Sequence, residues 1–330
     1  SSGAVASGMK KMGMVERPPG MPEQQATAAV GQPRLMLEYE KAFDRHEKKA
    51  AQILLAREDL TNRRRYLNAR NTINVLLCWN VVPIINENDT VVVEELKFGD
   101  NDNLAAMITH LMDAQILVNL TDIDGFYDKN PAVHKDAVLV PLVTKIDRAM
   151  EKAASGMPGA FGMGGMLSKI RTAKKVTHSG IPVVVANGLK PNVLRKLFEG
   201  RDLGTLFLPS KDRMGSRKCW IAFTLKEEGR IVIDRGAAMA IRKHGRSLLP
   251  IGILDVEGDF GVGASVSCMD PDGVAIARGL VNYRASDIRS LMGLRTDRIE
   301  AKLGHKDYQE VIHRDNLVVT VDDRGDPVCR

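Results

Sequence analysis

Residues 84–103, IINENDTVVVEELKFGDNDN, gather carboxylates and carboxamides into two tight clusters. The first, 86–89, holds Asn86, Glu87, Asn88 and Asp89. The second, 100–103, holds Asp100, Asn101, Asp102 and Asn103, and Glu94 and Glu95 lie between them. The apolar run 81–85 feeds the first cluster and reads as a buried strand opening into a loop. In open α/β sheets ligands bind beyond the carboxyl ends of strands, so this composition suits a polar ligand. The plainer reading is an Asx-rich double turn, because Asn and Asp turn and cap well.

A second stretch points to an anion. Residues 156–169, GMPGAFGMGGMLSK, contain Gly156, Gly159, Gly162, Gly164 and Gly165 and run into a helical pattern. A glycine-rich loop at a helix start offers backbone N–H groups and a positive dipole end. Lys169, in the first helical turn, reaches a phosphate as a point charge. The sequence is neither GxxxxGK[ST] nor GxGxxG after a strand, and a glycine-rich surface loop is the competing reading. Together with the acidic clusters it suggests a phosphate-carrying ligand and a metal.

These residues need a frame. Residues 33–49 have partly helical spacing, and 51–56 (AQILLA) form a strand candidate. Asp59 or Thr61 is placed to cap a helix over 62–77, whose apolar face is Tyr66, Ala69, Ile73, Leu76 and Leu77. Arg63, Arg64 and Arg65 occupy its first turn, a solvated face on the plain reading. Strand 81–85, helix 103–113, strand 116–120, helix 169–179 and strand 181–186 follow. Helix and strand in alternation predict a mainly parallel sheet covered on both faces. Ser1 to Gly8 read as a strand-to-helix turn or a frayed end. After a break at 207–209 and a linker over 210–216 come short strand candidates at 220–224, 230–234, 264–269 and 274–280. Turn signals lie at 228–229 and 270–273, and a helix at 237–243. A small, barrel-like β domain is predicted there.

Composition excludes several classes. The chain has 330 residues, 44% hydrophobic, enough for two cores. No apolar run is long enough to cross a bilayer, and no secretory signal is visible. Cys78, Cys219, Cys268 and Cys329 are scattered, which argues against a zinc site or a disulfide framework and for a reduced, cytoplasmic setting. The net charge is +6, and residues 211–330 hold 20 basic against 18 acidic side chains, too balanced for a dedicated nucleic-acid binder.

IINEND (84–89), FGDNDN (98–103), TDIDGFY (121–127) and GGMLSK (164–169) resemble the signature segments of the glutamate 5-kinase family, within the amino-acid kinases. Residues 1–6, 52–70 and 180–191 carry the same likeness. Gly236, Ala237 and Ala238, SLLPIGI (247–253) and Tyr283 are similar to the PUA domain that follows this kinase in many bacteria. The resemblance implies a three-layer αβα sandwich over 1–209, the amino-acid-kinase fold, and a β-barrel-like PUA domain over 217–320. It implies transfer of the γ-phosphoryl group of ATP, with Mg²⁺, to the side-chain carboxylate of L-glutamate, the first step of proline biosynthesis. Proline is then an expected feedback inhibitor and a homo-oligomer the expected state. RNA binding through the PUA domain is a lesser alternative, as are another amino-acid kinase or an impaired enzyme. By the same resemblance Ser2, Asp89 and Asn101 hold glutamate, Asp89 taking its ammonium. Thr121, Asp122, Met163, Gly164, Gly165, Met166, Leu167, Ser168 and Lys169 line the nucleotide. Lys169 and Asp102 are catalytic, Asp102 holding a lysine or metal in place, and no protein metal cage is expected.

Two departures follow. The first residue aligns where the family's second strand ends, so an earlier strand, phosphate loop and helix, with a loop lysine, are not among these residues. Losing one such stabiliser costs on the order of a hundred- to a thousandfold in rate. Met163 stands where the family usually has threonine, which predicts one fewer nucleotide contact.

Overall fold

The computed structural model describes residues 1–91, 101–155, 165–209 and 214–321. Phe98, Gly99, Asp100, Glu94, Glu95, Gly156, Gly159, Gly162, Met163, Gly164 and Cys329, all singled out above, lie outside them. The chain divides into two compact units, Ser1–Arg213 and Met214–Arg330.

The first unit runs α1 (Ala4–Met12), α2 (Met21–Asp44), β1 (Lys49–Leu55), α3 (Arg57–Thr61), α4 (Arg63–Cys78), β2 (Val81–Glu87), α5 (Asn101–Leu111), β3 (Leu117–Thr121), β4 (Leu142–Val143), α6 (Arg148–Ser155), α7 (Met166–His178), β5 (Val183–Asn187), α8 (Val193–Phe198) and β6 (Thr205–Phe207). β1 and β2 pair in parallel. A second sheet has the order β3-β5-β6-β4, parallel except between β5 and β6. Layering follows from the side chains of β5. Val183 and Val185 pack with Ile170, Ala173 and Val176 of α7. Val184 and Ala186 face the other way, onto Val193 and Leu197 of α8. A strand buried on both faces needs an unbroken apolar run, which VVVA supplies. The three-layer, mainly parallel reading of this unit stands.

Several boundaries differ from the sequence reading. The first residues make a helix pair, not a turn: α1 lies on α2 with no room between backbones. A Cβ added to Gly31 would sit 1.9 Å from the Ala4 carbonyl oxygen, and one on Gly8 1.9 Å from that of Thr27. α2 also begins well before Pro33 and carries that proline inside it; the apolar spacing after Pro33 shows only its second half. Asn62 is the cap of α4, its Oδ1 accepting from the Arg64 and Arg65 amides at 3.1 and 3.2 Å. Asp59 instead accepts from the Ala56 amide and pairs with Arg65.

The second unit runs α9 (Ser216–Phe223), β7 (Gly229–Ile233), α10 (Arg235–His244), β8 (Ile253–Glu257), β9 (Ser265–Met269), β10 (Ala275–Leu280), α11 (Ala285–Leu291), α12 (Ile299–Leu303) and β11 (Leu317–Val319). Of residues 220–224, read as a strand, 220–223 belong to helix α9 and Thr224 follows its end. A four-residue apolar run does not distinguish the two, and Cys219, Trp220, Ile221 and Ala222 are all buried. Gly229 opens β7 after a helix, so 228–229 is no hairpin turn. The strands form one open sheet, β11-β10-β9-β7-β8, and among the described residues the barrel does not close. Asp270 to Gly273 do turn β9 into β10, with Gly273 at φ 78°. Tyr283 staples the loop before β11, its hydroxyl donating to the Tyr308 carbonyl and accepting from the Tyr308 amide. Burial pushes the Cys268 thiol up to about 12, which suits an inert core cysteine.

Candidate functional site

The first polar cluster is half strand. β2 runs to Glu87, so Asn86 and Glu87 are buried in it, and only Asn88 and Asp89 lie beyond its end. Asn86 donates to Gln32 Oε1 of α2 at 3.1 Å and accepts from the Glu87 amide at 3.0 Å. The Asn88 amide donates to the Leu55 carbonyl at 3.0 Å, which ties the loop to the end of β1. The Ser1 ammonium donates to Ile85 O at 2.7 Å and Tyr39 donates to Ser1 Oγ, which set Ser2 on the side of β2 away from β1. Gln32 escaped the sequence reading, since nothing in an amphipathic pattern marks one helical glutamine as reaching a strand end.

The second cluster opens a helix. Asn101 and Asp102 lie in the first turn of α5, two residues earlier than the predicted start. Asp102 Oδ2 pairs with Lys169 Nζ at 3.0 Å, and both side chains are almost wholly buried, 12% and 10% exposed. A buried ion pair gains geometry more than stability, because both ions lose water. Lys169 follows from α7, which starts at Met166 with Gly165 as its extended cap. Met166 points into the core beside Ile170, so only its backbone faces outward from the helix start. Leu167 packs partly on the same core.

Two more polar contacts join α5 to α7. Lys175 Nζ donates to Asn103 Oδ1 at 2.8 Å, and Ser179 Oγ meets His110 Nε2 at 2.7 Å. The His110 imidazole is buried, 4% exposed. Its pKa falls to about 4, first because burial disfavours the charged ring, then because Lys175 repels it, with Asp113 pulling weakly the other way.

Thr121 ends β3 and Asp122 follows it, the Thr121 hydroxyl on Asp122 Oδ1 at 3.0 Å. The Thr121 carbonyl accepts from the Gly188 amide past β5. Beside them Asp124 takes Asn187 Nδ2 at 2.9 Å and Lys190 Nζ at 2.7 Å. The Lys190 hydrogen bond, then that of Asn187, holds the Asp124 carboxyl below the ordinary range. Asn187 and Lys190 were not singled out either; the signal available was their place after a buried apolar strand. The structure thus joins Asp102 to Lys169 and Thr121 to Asp122. It records no direct bond between Ser2, Asp89 and Asn101. Among the described residues no three acidic, histidine or cysteine side chains converge as a metal cage, and no helix is long and apolar enough to cross a membrane.

Comparison with known proteins agrees with the layout. The amino acid kinase family matches residues 1–187, and the PUA domain matches residues 229–303. The chain is 54% identical over 319 residues to a glutamate 5-kinase of Syntrophus aciditrophicus, covering 97% of this chain and 83% of the relative. It is 52% identical to a glutamate 5-kinase of Geobacter sulfurreducens, over 97% of this chain and 86% of that one. A glutamate 5-kinase of Caldanaerobacter subterraneus is 49% identical over the same shares.

Proposed function

The chain belongs to the amino acid kinase family and is of the glutamate 5-kinase kind, and we propose that it phosphorylates the side-chain carboxylate of L-glutamate with ATP, the first step of proline biosynthesis. The observation that carries this beyond similarity is the buried Lys169–Asp102 pair at a helix start. Phosphoryl transfer asks for positioning and charge neutralisation. The acceptor carboxylate is already ionised at neutral pH, so no general base is needed. A lysine fixed by Asp102 provides one positive charge for the transferring group, and Asp102 acts by orienting it. The Gly165 and Met166 backbone, Leu167 and Ser168 at the start of α7, together with Thr121 and Asp122, line the nucleotide on this reading. Asp89 takes the substrate ammonium, with Ser2 and Asn101 on the remaining polar groups. Mg²⁺ would arrive on the phosphates, which need few protein ligands. Proline inhibition and self-association complete the reading.

The test is an ATP-dependent hydroxamate assay, in which hydroxylamine traps the acyl phosphate. Glutamate, aspartate and N-acetylglutamate are run in parallel. Product from glutamate alone is expected, and turnover of another acceptor in its place overturns the reading.

A further inference from the structure

Among the described residues, one cation at the carboxyl end of the β1–β2 pair has a buried guanidinium nitrogen with no acceptor. Arg57 opens α3 directly after β1, and it is half-buried. Its Nε is shut off from solvent and meets no hydrogen-bond acceptor. The acid two residues along the same helix is occupied. Asp59 Oδ2 accepts from the Ala56 amide at 2.8 Å, and Oδ1 pairs with Arg65 at 3.1 Å. Those same bonds fix the start of α3, so Arg57 does not stand on a free loop.

Its neighbours across the sheet are the residues of the first polar cluster. Leu55 is in register with Glu87, and the Asn88 amide is bonded to the Leu55 carbonyl. Position 57 therefore leaves β1 alongside positions 88 and 89. Native folds leave few buried donors without an acceptor, and each asks for an explanation. A guanidinium is built for carboxylates, presenting a planar fork of donors.

We propose that Arg57 determines specificity for the substrate by receiving its α-carboxylate at the end of β1, one strand over from Asp89. The inference rests on the glutamate reading above and deepens it. In an α-amino acid the ammonium and the α-carboxylate hang on one carbon, so a pocket with Asp89 for the first is complemented by a cation beside it for the second. None of Ser2, Asp89 and Asn101 carries positive charge; Arg57 does.

Arg57→Gln and Arg57→Lys are compared with the parent enzyme on L-glutamate and on its α-amide, which keeps the side-chain carboxylate and lacks the α-carboxylate. Loss of a charge-assisted bond raises the KM for glutamate about ten- to a hundredfold in Arg57→Gln, with the KM for ATP unchanged. The parent prefers glutamate over the amide by a similar factor in kcat/KM, and Arg57→Gln loses that preference. Arg57→Lys, which keeps the charge but not the fork, falls between and serves if the glutamine variant does not fold. Unchanged discrimination in the variants, or an equal rise in both KM values, overturns the role. A parent enzyme that does not phosphorylate glutamate at all overturns the underlying reading instead.

Discussion

Acidification should unlock the contact between α5 and α7 at His110. The imidazole has a pKa of about 4 in the fold against 6.5 for the exposed ring. The sign is fixed by the direction of that shift. Between these values the unfolded chain binds a proton that the folded chain refuses, so stability falls as pH drops from 6.5 towards 4. The full difference is about 3–4 kcal/mol, taking roughly 1.4 kcal/mol for each unit. By pH 5 about 2 kcal/mol of it is already lost. Ser179, Lys175 and Asp113 are among the groups facing the ring, and Lys175 adds like-charge repulsion to the burial cost. His110→Gln removes the titration. Unfolding free energies of parent and variant, taken from pH 7.5 to 5, should diverge in slope by that amount. The variant assigns the His110 ring signal among the seven histidines in an NMR titration. A midpoint near 6.5, or parallel slopes for the two proteins, refutes the reasoning.

Lys169→Met should cut turnover by about two to three orders of magnitude in the hydroxamate assay. It should also cost about 3–5 kcal/mol in thermal unfolding, since Asp102 is left charged and buried; adding Asp102→Asn restores stability and leaves activity low. Asp89→Ala should abolish glutamate binding and spare nucleotide binding by calorimetric titration, and equal losses for both ligands count against its role. Gly31→Ala would raise helix propensity by about 1 kcal/mol in an open helix. Here the new methyl meets the Ala4 carbonyl, and we expect a net loss of about 1–3 kcal/mol in thermal unfolding. A raised melting temperature sinks the packing argument.

Local pattern was legible where one period ruled. The α4 spacing from Tyr66 to Leu76 and the β-branched run at 183–185 placed their elements within a residue or two, because each face has one neighbour or is buried throughout. Residues 220–223 failed, since a short run buried along most of its length has no period to read. Lys169 and Asp102 each stood out by local context, but their pairing joins residues 67 apart and depends on how α5 lies along α7. Gln32 and Arg57 gave no local sign. One is identified by the strand it reaches and the other by the acceptor it lacks, and both are properties of packing.

α5 and α7 run in the same direction, and three polar contacts between them fall in sequence along both: 102 with 169, 103 with 175, 110 with 179. The pair behaves as a keyed shaft. From Lys169 to Ser179 is about 15 Å of helix, at about 1.5 Å per residue. A slip of α7 by one turn, about 5.4 Å, would break all three contacts together. The axial position of the Lys169 amine is therefore set along the whole helix. An engineer who repacks Ser179 or His110 to tune stability at the far end would be adjusting the placement of a charge at the other.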